Sequence, residues 1–295
     1  MAAKKVSKIF KKNTRLVSCV LLYFLGVSFV INRLVNRGKI NIPVLCYHNI
    51  SGDSDLNYSI LLSIFEEHIA YISRRYKVIS LEELVEAIKG ERKVRPNSIA
   101  ITFDDALESF FSKAWPILRK YDLEATLFVP TGLVGKEKSP CNFPHLEWRE
   151  INKLKDDSII FGAHSHTHRN FLNLSPAELE TEIRVSKEEL RRHVKNNVKF
   201  FAYPYGEFNG FSMDLLKKHG FLAAFSTEWG TYHSIEEIYH LPRLSIEPSD
   251  SLFRLRLKLN GAYNWLKLAD RWHKRFMAMF TRSNRKDSKS LQLNS

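Results

Sequence analysis

The chain has 295 residues, 44% of them hydrophobic, with 45 Lys/Arg against 32 Asp/Glu and a formal net charge of +13. That length supports one large core, and three cysteines (Cys19, Cys46 and Cys141) with no Cys-x-x-Cys spacing exclude a zinc ribbon or a disulfide framework. Residues 1–39 hold nine Lys/Arg and no acid, and residues 252–295 hold eleven with two acids, so the stretch between carries about −5; basic ends beside an apolar segment suit an anionic membrane surface, and with no nucleic-acid-binding motif no nucleic-acid partner is expected.

The N-terminal residues read as a basic cytoplasmic segment over 1–15. Leu16 to Ile31 is almost free of polar residues. A helix of about 16 residues spans only ~24 Å of a ~30 Å hydrocarbon core. Leu34 and Val35 extend it if Arg33 snorkels, so a transmembrane signal anchor is expected over 16–35. A cleaved signal peptide is the alternative, although no Ala-x-Ala-like site follows. The stronger positive flank lies before the segment, which predicts a membrane-anchored protein with its body outside the cytoplasm, periplasmic or at the cell surface.

A globular region follows over 40–250. Ile42–Tyr47 reads as a buried strand and Phe65–Arg74 as an amphipathic helix. Ser80 and Glu83 form a capping box opening a second helix. Ser98–Phe103 is a strand. Ser109–Tyr121 is helical, with Pro116 disturbing its middle. Ala125–Val129 is a strand, Glu147–Leu154 a helix and Ile159–Ala163 a strand. Ser175, Pro176 and Glu178 open a helix that runs to Val194. Lys199–Ala202, Leu222–Phe225 and Leu244–Ile246 are strands, with a helix over Phe211–His219 stopped by Gly220. Strand and helix alternate throughout, which implies an α/β fold with a parallel sheet, open or closed. About seven strands favour a distorted (β/α) barrel. Residues 251–295 form a basic extension that alternates like a strand at first and then takes helical spacing. It reads either as a helix closing the barrel or as an amphipathic helix on an anionic membrane, with a polar tail.

Two segments carry chemistry. Thr102-Phe103-Asp104-Asp105 and His164-Ser165-His166-Thr167-His168 each follow a short apolar run, which puts them at the C-terminal ends of buried strands. Of the Asp pair, one carboxylate can bind a metal while its neighbour serves as base; a surface Asp-Asp turn is the plainer alternative. His164 and His168 are four apart, so one helical turn brings both to one ion while His166 points elsewhere. Two histidines and one carboxylate leave coordination positions open for water and substrate.

Together with Tyr203-Pro204-Tyr205-Gly206, these segments resemble the first three motifs of the polysaccharide deacetylases, the NodB-homology group or carbohydrate esterase family 4. The resemblance spans roughly residues 42–247. It implies a distorted (β/α) barrel and a metal-dependent hydrolase removing N-acetyl groups from an N-acetylated polysaccharide outside the cell or in its envelope. It further implies that Asp104 is the general base and that Asp105, His164 and His168 bind Zn2+ or another divalent ion such as Co2+, Ni2+ or Fe2+. The Tyr205 backbone N–H is expected to help hold the oxyanion.

The chain also departs from the common pattern. Ala106 stands where many members have Gly after the Asp pair. Ala202 stands where many have the Arg that orients the base. The late segment Leu241-Pro242-Arg243-Leu244 lacks the His of the usual Leu-x-His motif. Val44-Leu45-Cys46-Tyr47-His48-Asn49 resembles the subgroup of biofilm poly-N-acetylglucosamine deacetylases, in which an early Tyr-His supplies the acid, so His48 is assigned that role. Arg243, adjoining a strand, is expected to replace the missing orienting Arg. Trp229 lines the acetyl pocket or packs in the core, and Tyr203 and Tyr205 stack on sugars or are structural. The competing readings are a catalytically inactive carbohydrate-binding relative and a membrane scaffold of a polysaccharide export system.

Overall fold

The structure is a computed structural model that describes residues 17–52, 59–137, 143–155, 158–195 and 197–266. The chain forms two compact units, one of residues 36–260 and one of residues 1–35 with 261–295. In the larger unit a parallel sheet contains β1 (Val44–Tyr47), β2 (Lys77–Val78), β3 (Ser98–Phe103), β4 (Ala125–Val129), β5 (Ile159–Ala163), β6 (Phe200–Ala202), β7 (Ala223–Phe225) and β8 (Leu244–Ser245). Seven strands follow the order β7-β6-β5-β4-β3-β1-β8, and β2 pairs with the first residues of β3. The sheet curls into an incomplete barrel. Leu241, just before β8, reaches β7 through a bridge to Phe225.

Side chains along these strands alternate between two apolar clusters, as the period of two requires. Leu45, Tyr47, Ile101, Phe103, Leu127 and Phe201 join the larger cluster with the flanking helices. Val44, Ala100, Phe128, Ala202 and Phe225 form the smaller one, closed by Leu81, Leu84 and Val85. The alternation matters for function. Cys46 and His48 continue the Val44 side, and Thr102 and Asp104 continue the Ala100 side. Cys46 is in register with Thr102, and the Asp104 N–H bonds the Tyr47 carbonyl at 3.0 Å. His48 and Asp104 therefore emerge side by side.

The α-helices of the larger unit among the described residues are α1 (Leu62–Arg75), α2 (Leu81–Ile88), α3 (Trp115–Lys120), α4 (Trp148–Leu154), α5 (Pro176–Val194), α6 (Gly210–Lys218) and α7 (Leu252–Leu259). Ser80 with Glu83, and Ser175 with Glu178, form the expected capping boxes. The helix expected over Ser109–Tyr121 is split. Residues Phe110–Ala114 take a wide π turn before α3, with Pro116 in the first turn of α3. Proline has no N–H for the usual i−4 bond, and the widened turn absorbs that loss.

Two expectations are corrected. The start of the C-terminal extension is not strand-like, because residues Leu252–Leu259 form α7 within the larger unit. Lys258 of that helix is buried, paired with Asp250, and its Nζ donates to the Ser245 carbonyl at 2.7 Å. That charge is therefore not available to a membrane surface. The remainder, 267–295, lies outside the described residues. At the N-terminus the continuous span over 16–35 is interrupted. Residues 17–24 are helical, the chain turns at Leu25 and Gly26 (φ +71°), and the helix restarts at Val27–Val35. Left-handed backbone at Gly26 cannot continue a right-handed helix. Among the described residues, no helix is long and apolar enough to cross a membrane. The basic segment 1–15 also lies outside the described residues.

Candidate active site

Asp104 and Asp105 leave β3 in different ways. Asp104 stays on the interior side and is 3% exposed. A strand continued regularly would send Asp105 to the opposite face. Asp105 (φ 70°) and Ala106 (φ 47°) instead take left-handed backbone, which turns Asp105 back toward the mouth. Ala106 adopts the conformation that glycine supplies more readily.

The His segment reaches the same place by a loop and not by the helical turn that its spacing suggests. Ser165 (φ 63°) and His168 (φ 58°) are both left-handed, and the His168 N–H donates to Ser165 Oγ at 3.0 Å. The reversal brings His164 and His168 together. Their Nε2 atoms lie 3.2 Å apart, and Asp105 Oδ1 lies 3.5 Å from the first and 3.2 Å from the second. His166 turns away, with Nδ1 3.0 Å from Thr131 Oγ1 and 3.3 Å from Glu189.

These three side chains fit a divalent ion. His164 Nδ1–H donates to the Ala202 carbonyl at 2.7 Å, which leaves the Nε2 lone pair facing Asp105. Three donor atoms separated by 3.2–3.5 Å match the edges of a tetrahedron around an ion with ~2.0–2.2 Å bonds. Burial pushes the Asp105 carboxyl up, but the adjacent imidazoles of His164 and His168 outweigh it and hold the group well below the usual carboxylate range. Asp105 is thus a carboxylate ready to ligate.

Arg243 occupies the interior beside this centre. It is fully buried, its Nη1 and Nη2 reach the two oxygens of Asp104 at 2.7 Å each, and its Nε donates to the Ser226 carbonyl at 3.1 Å. Its guanidinium lies 5.5 Å from the centre of the Phe128 ring. Burial raises the Asp104 carboxyl, and the neighbouring guanidinium overrides that effect and holds it at about 2. Cys46 Sγ–H donates to Asp104 Oδ2 at 3.4 Å. His48 Nε2 stands 4.0 Å from the same oxygen, and its side chain is 37% exposed, so the centre opens to solvent beside His48.

Tyr205 caps the opposite rim. Its backbone is left-handed (φ 59°, ψ 6°), it is exposed, and its ring meets His168 edge-on at 4.9 Å. Gly206 follows at φ +70°, where a Cβ would come within 2.6 Å of the Thr227 backbone nitrogen. Tyr203 is buried and donates its hydroxyl to the Tyr239 carbonyl at 2.8 Å, so it belongs to the core. Trp229 is half-buried against the larger core cluster with the Lys258 ammonium 4.9 Å from its ring centre.

Two residues escaped the sequence reading. Glu182 on α5 is buried and accepts the His166 N–H at 2.9 Å, the Thr167 N–H at 2.7 Å and the Thr167 hydroxyl, which ties down the His loop. A signal existed, because Glu182 falls on the apolar stripe of Leu179, Ile183 and Leu190. His145 is buried and its Nδ1–H donates to the Asp105 carbonyl at 2.7 Å. No motif or periodicity marks it.

An incomplete α/β barrel gathers a carboxylate, two histidines and a guanidinium-locked aspartate at its strand ends, a set suited to a metal-assisted hydrolase. The polysaccharide deacetylase family profile matches residues 91–224. The poly-beta-1,6-N-acetyl-D-glucosamine N-deacetylase of Staphylococcus aureus is 31% identical over 215 residues, covering 68% of this chain and 72% of that protein. A putative polysaccharide deacetylase of Bacillus subtilis is 24% identical over 211 residues, covering 71% and 73%. Among solved structures, the Streptococcus pyogenes deacetylase PplD in complex with acetate matches at a TM-score of 0.67 and 25% identity, covering 75% of this chain and 99% of that one. IcaB from Ammonifex degensii shares the fold at a TM-score of 0.67 and 20% identity, covering 75% and 97%. This chain belongs to the polysaccharide deacetylase family and is a polysaccharide N-deacetylase, homologous to the poly-beta-1,6-N-acetylglucosamine enzymes.

Proposed function

We propose that the chain is a metal-dependent N-deacetylase of a linear poly-N-acetylglucosamine, working outside the cytoplasm at the cell envelope. The convergence of Asp105, His164 and His168 beside the Asp104–Arg243 pair carries this reading. The substrate class follows from the resemblance to the staphylococcal enzyme. Zinc suits the two-histidine, one-carboxylate donor set, and cobalt, nickel and iron suit it too.

Asp105, His164 and His168 would hold the ion, which when bound would polarise the acetamide carbonyl and acidify water. Asp104 accepts the proton of the attacking water. It does so as a carboxylate kept ionised and aimed by Arg243. The Tyr205 N–H, presented on a left-handed turn beside His168, donates to the carbonyl oxygen as negative charge develops. His48, on the solvent side of Asp104, delivers a proton to the departing amine. Acetate and a free amino sugar leave. An exposed Tyr205 ring at the rim offers a face for a sugar.

Acetate release from a β-1,6-linked N-acetylglucosamine oligomer is measured with and without a chelator. Loss of activity with chelator and its return with Zn2+ or Co2+ is expected. Turnover indifferent to the chelator would remove the metal from the reading.

A further inference from the structure

Residues 143–147 belong to none of the three motifs, yet they strap the loop that carries the Asp pair. The Glu108 N–H bonds the Pro144 carbonyl at 2.9 Å, and the Leu146 N–H bonds the Ala106 carbonyl at 2.9 Å. Between these two bonds, His145 Nδ1–H donates to the Asp105 carbonyl at 2.7 Å. The strap is anchored from behind, since the His145 N–H bonds Lys136 O at 3.0 Å and the Gly135 N–H bonds Leu146 O at 2.8 Å.

The strapped loop needs holding. Asp105 and Ala106 are consecutive left-handed residues, and neither is glycine. Each costs roughly 1–2 kcal/mol relative to ordinary backbone. Relaxed toward a strand, Asp105 would carry its carboxylate away from His164 and His168. The orientation of the Asp105 peptide therefore decides where the carboxylate lies. His145 is 5% exposed, and its Nε2 is buried without a hydrogen-bond partner among the described residues. Among those residues the bond to Asp105 is the ring's one hydrogen bond.

We propose that His145 is a positioning residue for the metal centre: its Nδ1–H holds the Asp105 carbonyl and so aims the Asp105 carboxylate at the ion shared with His164 and His168. The inference rests on the metal reading given above. It assigns His145 no contact with substrate or ion. Its effect passes through the Asp105 backbone, as outer hydrogen bonds at metal sites commonly orient the ligands themselves.

The test is zinc affinity of the full chain, measured by competition with a chromophoric chelator, together with the visible spectrum of the Co2+ form. Asn places an amide nitrogen where Nδ1 sits. Gln places it where Nε2 sits, out of reach of the carbonyl, and Phe keeps the ring without a donor. His145→Phe and His145→Gln are expected to weaken zinc binding by about 10- to 100-fold and to alter the Co2+ spectrum. His145→Asn is expected within about threefold of the parent, with the parent spectrum. The Asn–Gln pair decides the matter even if the Phe variant fails to fold. Equal affinity of parent and Gln variants, or an Asn variant as weak as Gln, overturns the proposal. A parent protein that binds no zinc or cobalt sinks the metal reading instead.

Discussion

Arg243 and Asp104 form a bidentate pair inside the sheet, two bonds of 2.7 Å between side chains exposed by no more than 3%. Ala202, at the place where many relatives carry an orienting arginine, has no such side chain to offer. The guanidinium arrives from the segment before β8 instead, and it cancels what burial alone would do to the carboxyl. Arg243→Met removes that cancellation. The Asp104 pKa, held at about 2 in the parent, then rises above its ordinary value under burial. In the parent, Asp104 stays ionised through any practical pH range. In the variant, kcat/KM is expected to fall by at least about 100-fold at neutral pH and to decline further as pH drops through the raised pKa. An uncompensated buried charge also costs about 3–5 kcal/mol, seen as earlier denaturant unfolding. A variant profile that parallels the parent's across pH 4–8 on this scale would refute the role.

His48 tests a separate half of the chemistry. It lies 4.0 Å from Asp104 Oδ2 and contributes nothing to the three-donor centre. His48→Ala is therefore expected to lower kcat by about 100- to 10,000-fold while metal content stays at the parent level. An activated ester, whose leaving group needs no proton, is expected to lose far less. Near-parent turnover of the amide substrate by the variant would remove His48 from the acid role.

Much of this site was legible because strand periodicity is simple. Val44, Cys46 and His48 share one side of β1, as Ala100, Thr102 and Asp104 share one side of β3, so their convergence needed only a parallel pairing in register. The capping boxes at Ser80 and Ser175 were legible for a similar reason, since one local pattern specifies them. The turns were not. Spacing suggested a helical turn between His164 and His168, whereas left-handed Ser165 and His168 make the approach, and nothing in Ser or His announces that backbone. Long-range polar contacts were equally silent. His145 meets Asp105 across 40 residues, and Lys258 reads as one more cation on a basic helix until its burial against Asp250 is seen. The apolar run from Leu16 to Ile31 contains Gly26, and there the backbone turned.

Gly206 gives a prediction about the third motif. Its φ of +70° and the crowding from Thr227 leave no space for a Cβ. Gly206→Ala forces the Tyr205–Gly206 turn to shift, carrying the Tyr205 N–H with it. The expected outcome is a loss of more than about 1 kcal/mol of stability together with a fall in kcat larger than any rise in KM. Parent kinetics in a folded Gly206→Ala protein would show that the turn does not place the oxyanion donor.

His68 supplies a pH dependence remote from the catalytic centre. It is fully buried on α1, with its Nδ1 3.3 Å from the Tyr47 hydroxyl, and burial lowers its pKa to about 4. In the unfolded chain the same imidazole titrates near ~6.5. Between those two values the unfolded state binds the proton and the folded state does not, so stability rises with pH across that window. The contribution is fully present above about pH 6.5 and is lost as pH falls toward 4. From pH 7 to pH 5 this one group is expected to remove about 2 kcal/mol of unfolding free energy. His68→Gln cannot titrate, so its loss over the same interval is expected to be smaller by that amount, read from urea unfolding at the two pH values. Parallel losses in parent and variant would mean that the buried ring takes up its proton without unfolding. The neutral imidazole beneath Tyr47 would then play no part in the acid sensitivity of the fold.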